Sequence, residues 1–238
     1  MTTLGFALVA AAGNVLGAVA VVRRERRSLQ VIEGLIAFGA GFMLSVALIE
    51  VTPRALALDG DAPLFILLGY LAVHLAQHVL VPHFHFGEEV HLISPMAGFS
   101  ALLGLLLHTF FDGVAIASGF LVSGQLGFLL FLAVLLHKLP EGLAMASIML
   151  AGGQSRQRAL AAASALGVAT VAGVLLTETF APLERHGLAI AAGVTLYVAA
   201  SNLVPEFQPR RGWRMPLAFF GGAGAFFLTQ MVVETSLR

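Results

Sequence analysis

Residues 63–81 pass without a single Asp, Glu, Lys or Arg, and seven other stretches of similar length are nearly as bare. These run over 4–22, 31–51, 96–121, 125–150, 157–180, 186–205 and 213–234. A helix needs about 20 mostly apolar residues to cross a bilayer, so the pattern predicts an all-α integral membrane protein of eight helices. Barrel strands would alternate in polarity over about ten residues, and these runs do not alternate. Only 11% of the 238 residues are charged and 58% are hydrophobic, whereas a soluble domain carries about a quarter charged. The connections between runs are short, so 1–238 reads as one transmembrane domain with a polar loop at 82–95.

Charge distribution sets an orientation. Arg23, Arg24, Arg26, Arg27, Arg156, Arg158, Arg210, Arg211 and Arg214 follow odd-numbered helices, while the other side holds Arg54, Arg185 and the terminal Arg238. The positive-inside rule makes the first set cytoplasmic and both termini extracytoplasmic. No basic region precedes the first apolar run, which is therefore expected to stay as a helix rather than act as a cleaved signal. Net charge is zero, so there is no basic field to attract nucleic acid. Cysteine is absent, which removes thiolate ligands and disulfides together.

Helix two contains an echo of helix seven. Gly41, Leu44, Val46, Ala47 and Pro53 match Gly193, Leu196, Val198, Ala199 and Pro205 without gaps, and Glu50 falls opposite Asn202. The two helices should run in opposite directions, so the copies are inverted, a pattern found in transporters with a site near the midplane.

The fourth and fifth runs carry the chemistry. His108 and Asp112 are one turn apart, as are His137 and Glu141, and i, i+4 residues share one helix face. Each ionisable group in mid-span costs about 2.5–3.5 kcal/mol on the insertion scale, so Asp112, Lys138 and Glu141 need compensation. Two imidazoles and two carboxylates form a nitrogen–oxygen ligand set suited to Zn²⁺, Fe²⁺, Mn²⁺ or Cd²⁺ rather than copper(I). Pro140 should remove the hydrogen bond to the Leu136 carbonyl and kink the helix between His137 and Glu141. Lys138 stands three residues before Glu141, the spacing of an intrahelical ion pair.

These motifs, His108-Thr109-Phe110-Phe111-Asp112-Gly113 and His137-Lys138-Leu139-Pro140-Glu141-Gly142, resemble those of the ZIP (Zrt/Irt-like) divalent metal transporters of prokaryotic type. The family's fourth helix carries a His-Asn-x-x-Asp/Glu-Gly-like motif and its fifth a His-x-x-Pro-Glu-Gly motif. The resemblance implies a bundle in which helices 1–3 and 6–8 form an inverted repeat around helices 4 and 5. It also implies a main transport site at His108, Asp112, His137 and Glu141, in a plasma (inner) membrane. Metal is then the transported substrate and no cofactor is implied. Three positions depart from the pattern: Thr109 replaces the usual Asn, Lys138 replaces a ligand-type residue, and Thr170 stands where helix six often offers an acid. Lys138 is expected to take the place of a second metal electrostatically.

Weaker candidates surround this core. The loop residues His83, His85, Glu88, Glu89 and His91 could collect metal on the cytoplasmic side. His74 and His78 are one turn apart in helix three and would extend an exit route. Met43, Glu50, Asn202, Glu206 and Glu178 are polar or soft positions near the echoed helices or the outer end of helix six. Helix eight, 213–234, is Gly-rich and offers a face to a second copy, making a homodimer. The competing reading is an intramembrane zinc-dependent hydrolase, with three ligands on the metal and the fourth position activating water.

Overall fold

The computed structural model describes residues 2–23, 29–79, 95–207 and 212–236. Those residues build eight helical rods and contain no strand. They are α1 (Thr3–Arg23), α2, α3 (Ala62–Val79), α4 (Pro95–Val122), α5 (Gly124–Ala151), α6 (Arg156–Thr179), α7 and α8 (Arg214–Ser236). α2 comprises Leu29–Ser45, a π-helical turn Val46–Val51 and Thr52–Leu58; α7 comprises Ala181–Tyr197, a π-helical turn Val198–Leu203 and Val204–Phe207. Seven helices are long and apolar enough to cross a membrane, and the eighth contributes the shorter apolar segment Ala62–Ala76.

Large apolar side chains lie on the outside, including Leu8, Leu16, Leu103, Leu217, Phe220 and Leu228, while Asn14, His108, Asp112, His137, Lys138 and Glu141 are buried. That polarity is the reverse of a soluble domain's and suits a hydrocarbon surround. In lipid, packing of small residues and satisfaction of polar groups hold helices together.

One helix boundary differs from the sequence reading, and Pro140 stands inside a continuous helix. The seventh helix begins at Ala181 rather than near 186, because Pro182 occupies its first turn, where a missing N–H costs nothing. Glu184 and Arg185 therefore stand on the helix and not in a connection. Pro140 does not interrupt α5, which continues through Ala151. The Leu136 carbonyl deprived of its partner lies against α2 at Gly39, where an added Cβ would sit 3.7 Å from the oxygen.

The inverted repeat is written in backbone geometry. The two π-helical turns occur in the register that matches Gly41 with Gly193. α2 crosses α8 with Gly41 against the Phe219 carbonyl and Gly222 against the Phe38 carbonyl. α7 crosses α3 in the same way, with Gly193 against Ile66 and Gly69 against Ile190. A second set of mates joins α1 to α5 and α6 to α4: Gly17 meets Leu139, Gly142 meets Asn14, Gly173 meets Phe110 and Gly113 meets Thr170. The symmetry thus extends to α4 and α5, pairing His108 with His137, Thr109 with Lys138 and Asp112 with Glu141. α1, α4, α5 and α6 form one unit, and α2, α3, α7 and α8 pack as the other.

These crossings lead to a direct expectation. An Ala in a helix interior ordinarily gains about 1 kcal/mol over Gly. At Gly41 and Gly193 the new Cβ would overlap a carbonyl oxygen of the neighbouring helix, so Gly41→Ala and Gly193→Ala should instead destabilise by about 1–3 kcal/mol. Gly224 has nothing within 4 Å of an added Cβ, and Gly224→Ala should not lower stability. Apparent melting temperatures in detergent compare the three; equal melting would contradict the tight crossings.

Candidate metal centre

α4 and α5 lie side by side at the centre, and their matched motifs bring His108, Asp112, His137 and Glu141 into one buried group. One ligand atom from each lies within 4.8 Å of the other three. Asp112 is the hub. Its Oδ2 is 3.4 Å from His108 Nε2 and 3.2 Å from His137 Nε2, and it accepts a hydrogen bond from Lys138 Nζ at 2.6 Å.

The tautomer of His137 follows from its other nitrogen. Nδ1 is 2.9 Å from the Ala133 carbonyl oxygen, which can only accept, so Nδ1 carries the proton. A neutral His137 ring then presents a bare Nε2 towards Asp112. A metal-binding imidazole is commonly held this way, with its far N–H on a carbonyl or carboxylate. Two further atoms are buried without any partner, His108 Nδ1 and Glu141 Oε1. Lys138 Nζ donates to Asp112 Oδ2 and Glu141 Oε2 but leaves Glu141 Oε1 and the bare Nε2 of His137 without a donor, and a divalent cation fits that set.

Lys138 does more than its sequence spacing indicates. It is 0% exposed and bridges both acids, reaching Glu141 Oε2 at 2.8 Å on its own helix and Asp112 Oδ2 at 2.6 Å on the next. The second contact crosses between helices, so i, i+3 spacing gives no sign of it. Thr109, its symmetry mate, is buried and turns its hydroxyl back to the Leu105 and Leu106 carbonyls at 3.0 and 3.1 Å. Thr170 does the same to Leu166 at 3.3 Å. Its mate Asn14 is fully buried with neither amide atom partnered. A lone Asn in an apolar run was the only sequence signal for it.

Among the described His and acidic candidates, Glu50, His74 and Glu178 fall outside this group. Met43 is 1% exposed within the apolar core. Glu50 is held by Arg54 Nε at 2.9 Å and Gln230 Nε2 at 2.6 Å. His74 stands on an exposed part of α3 with its ring 5.7 Å from that of Tyr197. Asn202 is half-buried in the second π-helical turn and Glu178 is exposed on α6. The loop candidates His83, His85, Glu88, Glu89 and His91, and the side chains of His78 and Glu206, lie outside the described residues. At the end of the bundle holding the α2–α3 connection, His186 Nδ1 and Asp59 Oδ2 are 2.6 Å apart, a pair the sequence reading missed.

Eight apolar rods around a buried set of metal-ligand side chains define a multi-pass helical membrane protein. Residues 85–230 match the family model described as ZIP Zinc transporter. The chain belongs to the ZIP family. Among its relatives is a protein called Zinc transporter ZupT from Shigella flexneri serotype 5b (strain 8401), 30% identical over 122 residues. Another protein called Zinc transporter ZupT, from Enterobacter sp. (strain 638), is 33% identical over 122 residues. Each match covers 45% of this chain and 46% of the relative, so the chain spans about half the length of the curated relatives it matches.

Proposed function

We propose that the chain carries a divalent metal ion, zinc foremost, across the plasma (inner) membrane into the cytoplasm, binding it at His108, Asp112, His137 and Glu141. The observation that carries this reading is the convergence of four ligand atoms within 4.8 Å, with His137 held in the ligand tautomer by Ala133. The relatives' names as zinc transporters support the same cargo. Fe²⁺, Mn²⁺ and Cd²⁺ share the preference for nitrogen and oxygen ligands.

Transport proceeds by alternating access. An ion entering from the outer side exchanges water for two imidazoles and two carboxylates. Rocking of the unit that contains α4 and α5 against α2, α3, α7 and α8 then opens the site to the cytoplasmic side, where the loop 82–95 receives the ion. Both termini are extracytoplasmic in this arrangement. A hydrolase would keep a coordination position for water; here four side chains converge as one set, which favours carriage over catalysis. A homodimer through the exposed face of α8 belongs to the same proposal.

Radioactive zinc uptake into proteoliposomes, with no organic substrate present, tests the reading. The unaltered chain should accumulate zinc, and His137→Ala and Glu141→Ala should each abolish accumulation. Uptake at the parental rate in both variants would refute the site.

A further inference from the structure

Lys138 and Asn14 each keep hydrogen-bonding capacity that the metal-free centre does not use. An ammonium has three N–H donors, and Lys138 Nζ spends two of them, on Asp112 Oδ2 and Glu141 Oε2. The third meets no acceptor among the described residues. Asn14, on α1, is 0% exposed, and its amide nitrogen and oxygen are both without a partner. A buried amide in that state is costly and calls for a reason.

The two residues are neighbours across the crossing of α1 and α5. A Cβ on Gly13 would sit 3.0 Å from Lys138 Cβ, and one on Gly142 would overlap the Asn14 main chain. The α1 turn through Gly13 and Asn14 therefore lies along the α5 turn from Lys138 to Gly142. The inverted repeat supplies the comparison, for the symmetry mates of Lys138 and Asn14 are Thr109 and Thr170. Gly113 meets the Thr170 carbonyl there as Gly142 meets Asn14 here. Both Thr hydroxyls are satisfied by carbonyls of their own helices. The Lys138–Asn14 side instead holds a spare donor and a spare acceptor on touching turns.

Metal binding gives this pair its use. Asp112 Oδ2 lies 3.4 and 3.2 Å from the two imidazole Nε2 atoms, so an ion ligated by both rings takes that oxygen. The ammonium 2.6 Å from it repels the ion and has to give ground. Lys138 is 0% exposed, so its charge retreats to a buried acceptor rather than to water. Outside the four ligands, the unpartnered buried oxygens among the described residues are those of Asn14, Thr52 and Ser118. Thr52 belongs to α2, in the other helical unit. Ser118 is six residues beyond Asp112 on α4, a rise of about 9 Å. Asn14 stands on the turn that touches Lys138. We propose that Asn14 receives the Lys138 ammonium when a divalent ion takes the centre. Nζ leaves Asp112 Oδ2 for Asn14 Oδ1 and stays on Glu141 Oε2, while the ion takes Asp112 Oδ2 and the unpartnered Glu141 Oε1. Asn14 is a positioning residue, for it touches the ammonium and not the ion.

This inference deepens the proposed metal site and rests on it. Zinc binding is titrated calorimetrically in detergent, in the full chain with His83, His85 and His91 replaced. Asn14→Ala should weaken zinc binding about tenfold, the loss of one hydrogen bond to a charged group. Its metal-free melting temperature should stay at the parent's, since the amide has no partner to lose. In a Lys138→Met background the same substitution should leave zinc affinity unchanged, because no ammonium remains to be received; the double-mutant cycle isolates that coupling. Parental affinity in Asn14→Ala overturns the proposal, and so does equal weakening in both backgrounds. Infrared difference spectra give a second reading that needs no Lys138 variant. The chain has two asparagines, Asn14 and Asn202. With carbon-13 in the asparagine side-chain carbonyls, the Asn14 band is the one that Asn14→Ala removes. Zinc should shift that band to lower frequency as the carbonyl accepts the ammonium. A band that zinc leaves in place overturns the proposal while the metal site stands. A parent chain that binds no zinc would instead refute the four-ligand site, and this inference with it.

Discussion

Replacing Lys138 by Met should lower the stability of the metal-free protein by about 3–5 kcal/mol, the usual consequence of removing one partner from a buried ion pair. For a chain of this size that corresponds to a fall of on the order of 10 °C in melting temperature. The expectation follows from geometry. The ammonium is 0% exposed and is the cation in contact with both Asp112 and Glu141, at 2.6 and 2.8 Å. Met fills a similar apolar volume, so packing is nearly preserved and the missing charge dominates. Bound zinc should restore most of the loss, because a dication compensates both acids at once. Thermal melts of parent and Lys138→Met, with and without zinc, provide the measurement. Equal melting temperatures without metal would show that the bridge does not stabilise the fold. A loss that zinc leaves unchanged would show that the four residues do not hold the ion.

Much of this architecture is legible in the residues, and the limits have physical causes. Helix number follows from continuous apolar runs, since a membrane span has a fixed length. His108, Asp112, His137 and Glu141 are legible because one-turn spacing forces each His and its acid onto one face, and α4 and α5 adjoin through a connection at Ser123. The repeat is partly legible from Gly41 and Gly193. Its full extent is not, because close crossings such as Gly17 on Leu139 and Gly173 on Phe110 depend on which helices become neighbours. The π-helical turns at Val46–Val51 and Val198–Leu203 have no composition signal of their own. Contacts between distant segments fail for the same reason: Lys138 with Asp112, Glu50 with Gln230, and Asp59 with His186 each join separate elements. Pro140 marks the carbonyl it frees, that of Leu136, but not the neighbour beside that carbonyl, Gly39 of α2.

Lys138 also sets the stoichiometry of the centre. In the unmodified protein the helix four–five site should bind one divalent ion, and Lys138→Asp should raise this to two. The Nζ atom stands between Asp112 Oδ2 and Glu141 Oε2, the position from which a second ion would bridge those carboxylates. A dication about 5 Å from the ammonium would meet repulsion of about 6–7 kcal/mol at an effective dielectric near 20, before solvation reduces it. The first ion meets the same ammonium, and the two imidazoles and two carboxylates that converge within 4.8 Å of one another offset that repulsion by direct ligation. Asp at position 138 removes the repulsive charge and adds a carboxylate, changing the local charge by two units in favour of a second dication. Metal content per chain is the readout, in a background with His83, His85 and His91 replaced so that loop binding does not enter the count. One ion in the parent and two in Lys138→Asp would establish Lys138 as a covalently attached substitute for the second metal. Two ions in the parent core, or Lys138 seen coordinating the metal as a free amine, would refute it.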